Sequence, residues 1–184
     1  MKGSVFFTLE GSRTGMAIKR TSEVITIGAS VTESAANTFT EQRIDLQLNP
    51  LDNEVLLIYA VDLQPDVPDA VAATNTSVSA ALTSTTQTGL SNISQSSTIA
   101  AVSNTIRAAG FVDGGVPFES RSMSDTPEAS MEYISIVATN DMFLQVLGGN
   151  NAGAKTCFVK VYCARAKADS ATYAALVQSE LLSN

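Results

Sequence analysis

Apolar and polar residues divide most of this chain into short strands separated by turn residues. Ile44, Leu46 and Leu48 are apolar at every second position, and the residues between them are polar. This period of two predicts a strand with one face in the core and one face in solvent. Residues 54–63 form a continuous apolar run, which predicts a central strand, and the turn-forming sequence 49–53 joins it to the previous strand.

Eight segments in total have a strand pattern. Turn residues bound them, and helical patterns do not alternate with them, which favours an antiparallel sandwich or barrel over a parallel sheet. Gly28, Ala29 and Ser30 are expected to end the third of these strands. The predicted strands cover 4–9, 15–20, 23–27, 39–48, 54–63, 132–138, 142–149 and 156–166.

Two short helices complete the predicted elements. Ile99, Val102 and Ile106 lie at helical spacing ahead of a glycine, which predicts a short internal helix within 97–110. Residues 169–182 repeat apolar side chains at the same spacing behind a capping Asp or Ser, which predicts a C-terminal helix. If both helices are larger than this, the alternative fold class is α+β.

The middle of the chain has an unusual composition. The 37 residues 70–106 include no charged side chain, and 14 of the 25 residues 74–98 are Ser or Thr. We expect a single domain over 1–184, with 65–110 as a long uncharged Ser/Thr-rich insertion. Because charge keeps exposed segments apart, its absence favours a surface that contacts protein. A solvated loop is the alternative.

Few residues are suited to catalysis. The chain contains no histidine, which removes the commonest general base and the usual zinc ligand. Cys157 and Cys163 are six positions apart on one face of a predicted strand, about 20 Å from each other, so we expect two unpaired core thiols. No phosphate-binding glycine motif is present. We predict a protein that is not an enzyme, and we assign no catalytic, cofactor-binding or metal-binding residues.

Three carboxylates lie close together in the sequence after the predicted central strand. Asp62, Asp66 and Asp69 lie in a segment that two prolines stiffen. We expect these side chains to be solvated, because acidic loops are common on protein surfaces. Convergence on a calcium ion, which prefers several oxygen ligands, is the alternative.

The net charge of −7 disfavours binding to nucleic acid and to anionic membranes. Lys and Arg are absent from 44–106 and occur near both ends, so the two ends would form a mildly basic face if they meet. No apolar run approaches the ~20 residues of a membrane span, and the start has no signal-peptide core. We therefore expect synthesis in the cytoplasm, no membrane span and no direct contact with nucleic acid.

The pattern of the whole chain resembles the structural proteins of icosahedral virus particles that are built from a single jelly roll. FTEQRIDLQL and EVLLIYAVDL lie early, EYISIVATNDMFLQVL and TCFVKVYCARA lie late, and the uncharged tract separates them. The resemblance implies an eight-stranded antiparallel β-sandwich that contacts copies of itself and other shell proteins. The strongly basic arm of many single-stranded RNA virus capsid proteins is absent, so a tailless DNA virus or phage fits better.

The expected function is that of a virion structural protein, a capsid subunit that self-assembles after synthesis in the host cytoplasm. Assembly proteins need broad, weakly polar contact surfaces, and such surfaces gain from few long charged side chains, whose ordering costs entropy. The alternative is a soluble β-sandwich that binds carbohydrate or a receptor, with calcium dependence through residues 62–69.

Overall fold

A computed structural model describes residues 17–108, 118–123 and 132–182, and it arranges them as two antiparallel sheets and one helix. Ten strands lie within these residues where the sequence predicts eight, and the strand predicted at 4–9 falls outside them. The elements are β1 (Ile18–Arg20), β2 (Ile25–Thr32), β3 (Thr40–Asp45), β4 (Glu54–Pro65), β5 (Thr76–Thr83), β6 (Thr98–Arg107), β7 (Phe118–Met123), β8 (Ser135–Val137), β9 (Asp141–Gly149), β10 (Thr156–Ala168) and α1 (Ser170–Leu182).

The strands pair in a nested order. β2 pairs with β10, β3 with β9, β4 with β8 and β5 with β6, so the chain behaves as one long antiparallel hairpin. Rolling this hairpin sets β10 beside β4 and β9 beside β5. The first sheet therefore has the order β2–β10–β4–β8, with β1 paired to the end of β10, and the second has the order β3–β9–β5–β6–β7.

The two sheets share one apolar core. Alternate residues of both sheets face each other across it, as the period of two requires. The fully enclosed members include Ile58, Val137 and Val161 from the first sheet and Val78, Leu82, Met142, Leu144 and Val146 from the second. Ile44, Leu46 and Leu48 are buried in this core, which confirms their predicted alternation.

Strand β4 is central, as predicted, and both of its faces are apolar. Ile58 faces the shared core, whereas Leu57 belongs to a second apolar cluster on the outer face of the first sheet. A β-bulge at Tyr59 adds one residue to β4 against β10. The inward positions change from even to odd numbers beyond the bulge, so Leu63 again faces the shared core.

The predicted internal helix within 97–110 is wrong, because β6 occupies Thr98–Arg107. Ala100, Val102 and Asn104 are buried at every second position. Their small or polar side chains make this alternation a weaker hydrophobic signal than the helical spacing of neighbouring apolar residues. The α+β alternative, which relies on a larger helix in this segment, loses its basis.

The segment 65–110, which contains the uncharged tract 70–106, is not an insertion, since it supplies β5 and β6 of the second sheet. β5 lies between β9 and β6, with hydrogen-bonded neighbours on both sides. Ala80 and Ala81 are both buried although they point to opposite faces of the sheet. Burial within the molecule therefore accounts for the lack of charge in these two strands, whereas 70–73 and 92–96 of the same tract are exposed.

Strand formation in the other predicted segments is confirmed, and the C-terminal helix is confirmed as α1. β2 is longer than predicted: it continues through Gly28 and Ser30 to Thr32. It continues because Ala29 and Val31 pack in or against the shared core while the residues between them face solvent. β7 forms in a stretch where the sequence predicts no element.

Candidate interaction surface

Helix α1 covers half of the outer face of the first sheet. Its apolar side chains pack on outward-facing residues of β4 and β10, where a second hydrophobic cluster forms. The cluster contains Val55, Leu57, Ala166 and Ala168 with Tyr59, Tyr133, Tyr173, Leu176 and Val177 packed around them. The small alanines of β10 allow the helix to lie close to the sheet.

Two carboxylates attach this helix to the sandwich. Asp169 precedes the helix and accepts the backbone N–H of Thr172 at 2.7 Å, which lowers the pKa of the Asp169 carboxyl. Glu180 near the other end is buried and accepts the N–H groups of Ala138 at 2.7 Å and Thr139 at 3.0 Å. Sequence spacing identifies Glu180 as part of the packed helix face, but not its backbone partners.

The other half of the same outer face is exposed, and we call it the uncovered face. It consists of outward side chains on three neighbouring strands of the first sheet. They are Thr26, Gly28 and Ser30 of β2, Asp62 and Gln64 of β4, and Phe158, Lys160 and Tyr162 of β10. The uncovered face is therefore a sheet surface, and not a cleft.

The uncovered face combines aromatic side chains with balanced charge. Phe158 is 50% exposed and Tyr162 is 36% exposed on the same side of β10. Lys160 lies between them and is paired in register with Asp62 on one neighbouring strand and with Gly28 on the other. One positive and one negative side chain leave this surface near neutral in a chain whose net charge is −7.

Two open depressions mark the outer face of the first sheet. One of about 240 Å³ lies on the uncovered face and is lined by Asp62, Gln64, Phe158 and Lys160. A larger one of about 480 Å³ lies beside the apolar cluster under α1. Ala17, Ile18, Arg20, Leu57, Tyr59, Glu132 and Tyr133 line it.

The loop between β5 and β6 covers part of the outer face of the second sheet. Gln145 of β9 is fully buried beneath this loop and accepts the N–H of Ser91 at 3.0 Å. Its side-chain amide donates to Glu41 and Thr83, each at 3.1 Å. Glu41 in turn accepts the hydroxyl of Thr86 at 2.5 Å. The uncharged tract thus supplies both the central strands of the sheet and their cover.

The buried carboxylate of Glu33 links two connections at one end of the sandwich. Glu33, directly after β2, accepts three backbone N–H groups: from Gly148 at 2.6 Å, Lys155 at 2.9 Å and Thr38 at 3.1 Å. A side chain at Gly148 would place its Cβ 3.0 Å from a Glu33 oxygen and 2.8 Å from Asn151, so the close approach requires glycine. Glu33 therefore joins the β2–β3 and β9–β10 connections.

The three predicted carboxylates do not converge. Asp62 is on the uncovered face, whereas Asp66 accepts the N–H of Thr156 at 2.8 Å. Asp69 pairs with Lys155 at 2.5 Å, and this hydrogen bond lowers the pKa of the Asp69 carboxyl. Across the ranges that the structure describes, no three carboxylate or thiol groups lie close enough to hold one metal ion. Asp66 and Asp69 instead fasten the β4–β5 connection to the start of β10.

The two thiols lie where the sequence predicts them. Cys157 and Cys163 are buried, unpaired, and face the shared core. Burial raises the pKa of the Cys157 thiol to about 12 and also raises the pKa of Cys163. A thiol acts as a nucleophile only after deprotonation, so we expect these two packing residues to react slowly in the folded chain.

The basic segments near the two ends do meet. β1 pairs with β10 and sets Lys19 beside Lys167. Lys167 forms an ion pair with Asp52 at 2.9 Å, and Arg20 forms one with Glu23 at 2.7 Å. Neighbouring carboxylates therefore offset much of the positive charge.

No helix within the described ranges is long and apolar enough to cross a membrane. No known protein-family model and no curated protein match this chain. The described residues form a core of buried apolar side chains, one end where a buried carboxylate hydrogen-bonds two connections, and an uncovered sheet face of balanced charge.

Proposed function

We propose that this chain is a virion structural protein, a self-assembling capsid subunit with a jelly-roll fold. The nested pairing supports the fold. If β2, β3, β4, β5, β6, β8, β9 and β10 are numbered one to eight, the sheet orders are 1-8-3-6 and 2-7-4-5. A long hairpin rolled into two sheets has these orders, and β1 and β7 extend it.

The jelly roll also occurs in lectins and cupins, so the fold alone does not define the function. The observation that carries our proposal is a contrast between two parts of the molecule. The space between the sheets is packed with side chains, whereas the outer face of the first sheet is partly exposed. Apolar side chains such as Val161 and Leu144 are fully buried between the sheets. The exposed feature is a broad, near-neutral sheet face, which suits contact with protein rather than enclosure of a small ligand.

Repetition strengthens this interpretation physically. A shell repeats the same contact in every copy, so each interface can be modest while the assembly is stable. The uncovered face has one Lys and one Asp, and the balanced pair limits repulsion between acidic copies. The proposed partners are copies of this chain and other shell proteins, and the proposed location is the virion.

Light scattering with matched variants tests the proposal. We expect the purified wild-type chain to form large assemblies and Phe158→Glu to reduce their mass, because it places an acidic group on the uncovered face. Leu51→Glu is the control, since Leu51 is 94% exposed on a separate turn. A wild-type chain that stays monomeric at all concentrations contradicts the proposal, and equal assembly of Phe158→Glu removes this face from it.

The second candidate function is carbohydrate binding, and the exposed aromatics favour it. Phe158 and Tyr162 are four residues apart on one strand, about 13 Å, with polar Asp62 and Gln64 beside them. Titration calorimetry with a panel of oligosaccharides separates the two functions. Heat that disappears in Phe158→Ala and Tyr162→Ala supports the binding module, and the absence of heat with the wild type removes it.

A further inference from the structure

We propose that the edge of β2 opposite β10 pairs with β2 of a second copy across a two-fold axis and joins the first sheets of the two copies into one. This inference rests on the proposed assembly function and identifies one of its contacts. Among the residues that the structure describes, β2 is an edge strand, hydrogen-bonded on one side to β10. An unpaired strand edge presents a row of N–H and C=O groups that another chain can bind.

Hydrogen bonding fixes which residues point to this edge. The N–H of Glu33 donates to the carbonyl of Lys155 at 2.9 Å, so odd-numbered residues of β2 are bonded to β10. Bonding direction alternates along an antiparallel strand. The even-numbered residues therefore direct their backbone N–H and C=O groups away from β10, in the plane of the sheet, and we call these the outward groups of β2. These residues are Thr26, Gly28, Ser30 and Thr32, and no backbone hydrogen bond to their outward groups is present within the described ranges.

β2 lacks the features that protect exposed edges from pairing. Natural edge strands are short or contain charges, prolines or bulges. β2 has eight residues, ITIGASVT, with no charge and no proline, and its pairing with β10 is regular. Val24 and Ile25 at its start are exposed apolar side chains. An edge without these features is a template for pairing with another strand.

A second copy is the occupant that the charge pattern favours. Two chains of net charge −7 repel, so a contact between copies needs a surface without unpaired charge. β2 meets this condition, and in a closed dimer a strand pairs with its own copy in the antiparallel sense across a two-fold axis. With Ala29 on the axis, Thr26 lies opposite Thr32 of the partner subunit and Gly28 lies opposite Ser30 of the partner subunit. In this register, every outward backbone N–H and C=O group of β2 forms a hydrogen bond with the partner subunit.

Disulfide trapping tests this register. Residues opposite each other in a hydrogen-bonded antiparallel pair have Cα atoms about 5.5 Å apart, within disulfide range. Thr26 and Thr32 of one chain are about 20 Å apart and cannot bridge. We expect a mixture of Thr26→Cys and Thr32→Cys chains to crosslink under mild oxidation, and each variant alone to remain uncrosslinked. Equal crosslinking of a Thr26→Cys and Ser30→Cys mixture overturns the register.

A proline variant tests the backbone contact itself. Ser30→Pro removes an outward N–H that nothing within the described chain accepts, so the fold tolerates it. Ser30→Ala keeps the N–H and is the matched control. We expect Ser30→Pro to reduce crosslinking of the Cys mixture by about tenfold or more and Ser30→Ala to leave it unchanged. Equal crosslinking in both backgrounds overturns the proposal.

Electron microscopy of the same samples separates this inference from the proposed function. Particles that assemble without the Thr26 to Thr32 crosslink keep the capsid proposal and overturn the edge pairing. Crosslinked dimers that never form particles keep the edge pairing and overturn the capsid proposal. An intrachain disulfide in the dilute double variant Val5→Cys, Thr26→Cys assigns the edge to the chain's own residues 4–9 and overturns pairing between copies.

Discussion

Glu33→Gln is the most informative single change, because it removes one oxygen and one charge from a buried carboxylate that joins two connections. The carboxylate accepts three backbone N–H groups: one oxygen serves Gly148 and Thr38, and the other serves Lys155. Glutamine keeps one carbonyl oxygen for the first two donors. It places an NH₂ group against the N–H of Lys155, so that donor loses its acceptor.

The expected loss of stability follows from these contacts. A hydrogen bond to a charged group contributes about 1.5–3 kcal/mol, and a neutral one contributes about 1 kcal/mol. Losing the bond from Lys155 and weakening the bonds from Gly148 and Thr38 costs about 3 kcal/mol in total. This is a large part of the ~5–15 kcal/mol that stabilises an ordinary domain.

Equilibrium unfolding in urea measures this loss, at concentrations where light scattering shows only the monomer. With an m-value of about 2 kcal/mol/M, the midpoint of Glu33→Gln falls by about 1.5 M. Glu23→Gln is the matched control, because Glu23 is 94% exposed in an ion pair with Arg20 and its loss costs about 0.5 kcal/mol. A midpoint for Glu33→Gln within the range of this control refutes the assigned role of Glu33.

Three further predictions follow from buried or capping groups. A thiol reagent should modify neither Cys157 nor Cys163 in the native chain and both in denaturant, because burial raises both pKa values; fast native labelling contradicts this. Gln145→Leu leaves the N–H of Ser91 without its acceptor, so we expect a loss of about 2 kcal/mol and faster hydrogen exchange in the β5–β6 loop, and unchanged exchange disproves the cover. Asp169→Ala should lower the melting temperature at neutral pH. A backbone N–H lowers the folded pKa of Asp169. The contribution of Asp169 to stability is therefore complete above the unfolded pKa near 3.8 and disappears as the pH falls through the lowered folded pKa. A difference in melting temperature between the wild type and Asp169→Ala that persists in strong acid contradicts the cap.

The strands that contain large apolar residues at alternate positions could be predicted from the sequence. The alternation of Ile44, Leu46 and Leu48, and the even spacing of the core residues from Cys157 to Cys163, are stronger than any competing period. Strand identity and the buried thiols follow from them directly. The pairing order does not, because it depends on contacts between segments far apart in sequence.

The strands built from small and polar residues could not be predicted in the same way. β5 and β6 are built largely from Ser, Thr and Ala, and Asn104 and Gln145 are buried polar side chains within the second sheet. A hydrophobic pattern detects neither. The missing charge between 70 and 106 was an informative observation, but the sequence did not reveal that part of this tract forms β5 and β6 of the second sheet.

The uncovered face was visible in the sequence as the second alternating set of β10. Phe158, Lys160 and Tyr162 occupy the positions between its core residues, and two outward aromatics on one strand are unusual on a solvated face. Which part of the outer face α1 covers is a tertiary property, so the sequence alone did not separate the covered half from the exposed half.

Cryo-electron microscopy of the purified full chain tests the capsid proposal most directly. We expect closed particles of uniform size in which neighbouring subunits meet through the outer face of the first sheet and the edge of β2. A folded chain that remains monomeric at every concentration and ionic strength, or particles in which both surfaces stay open to solvent, would contradict it.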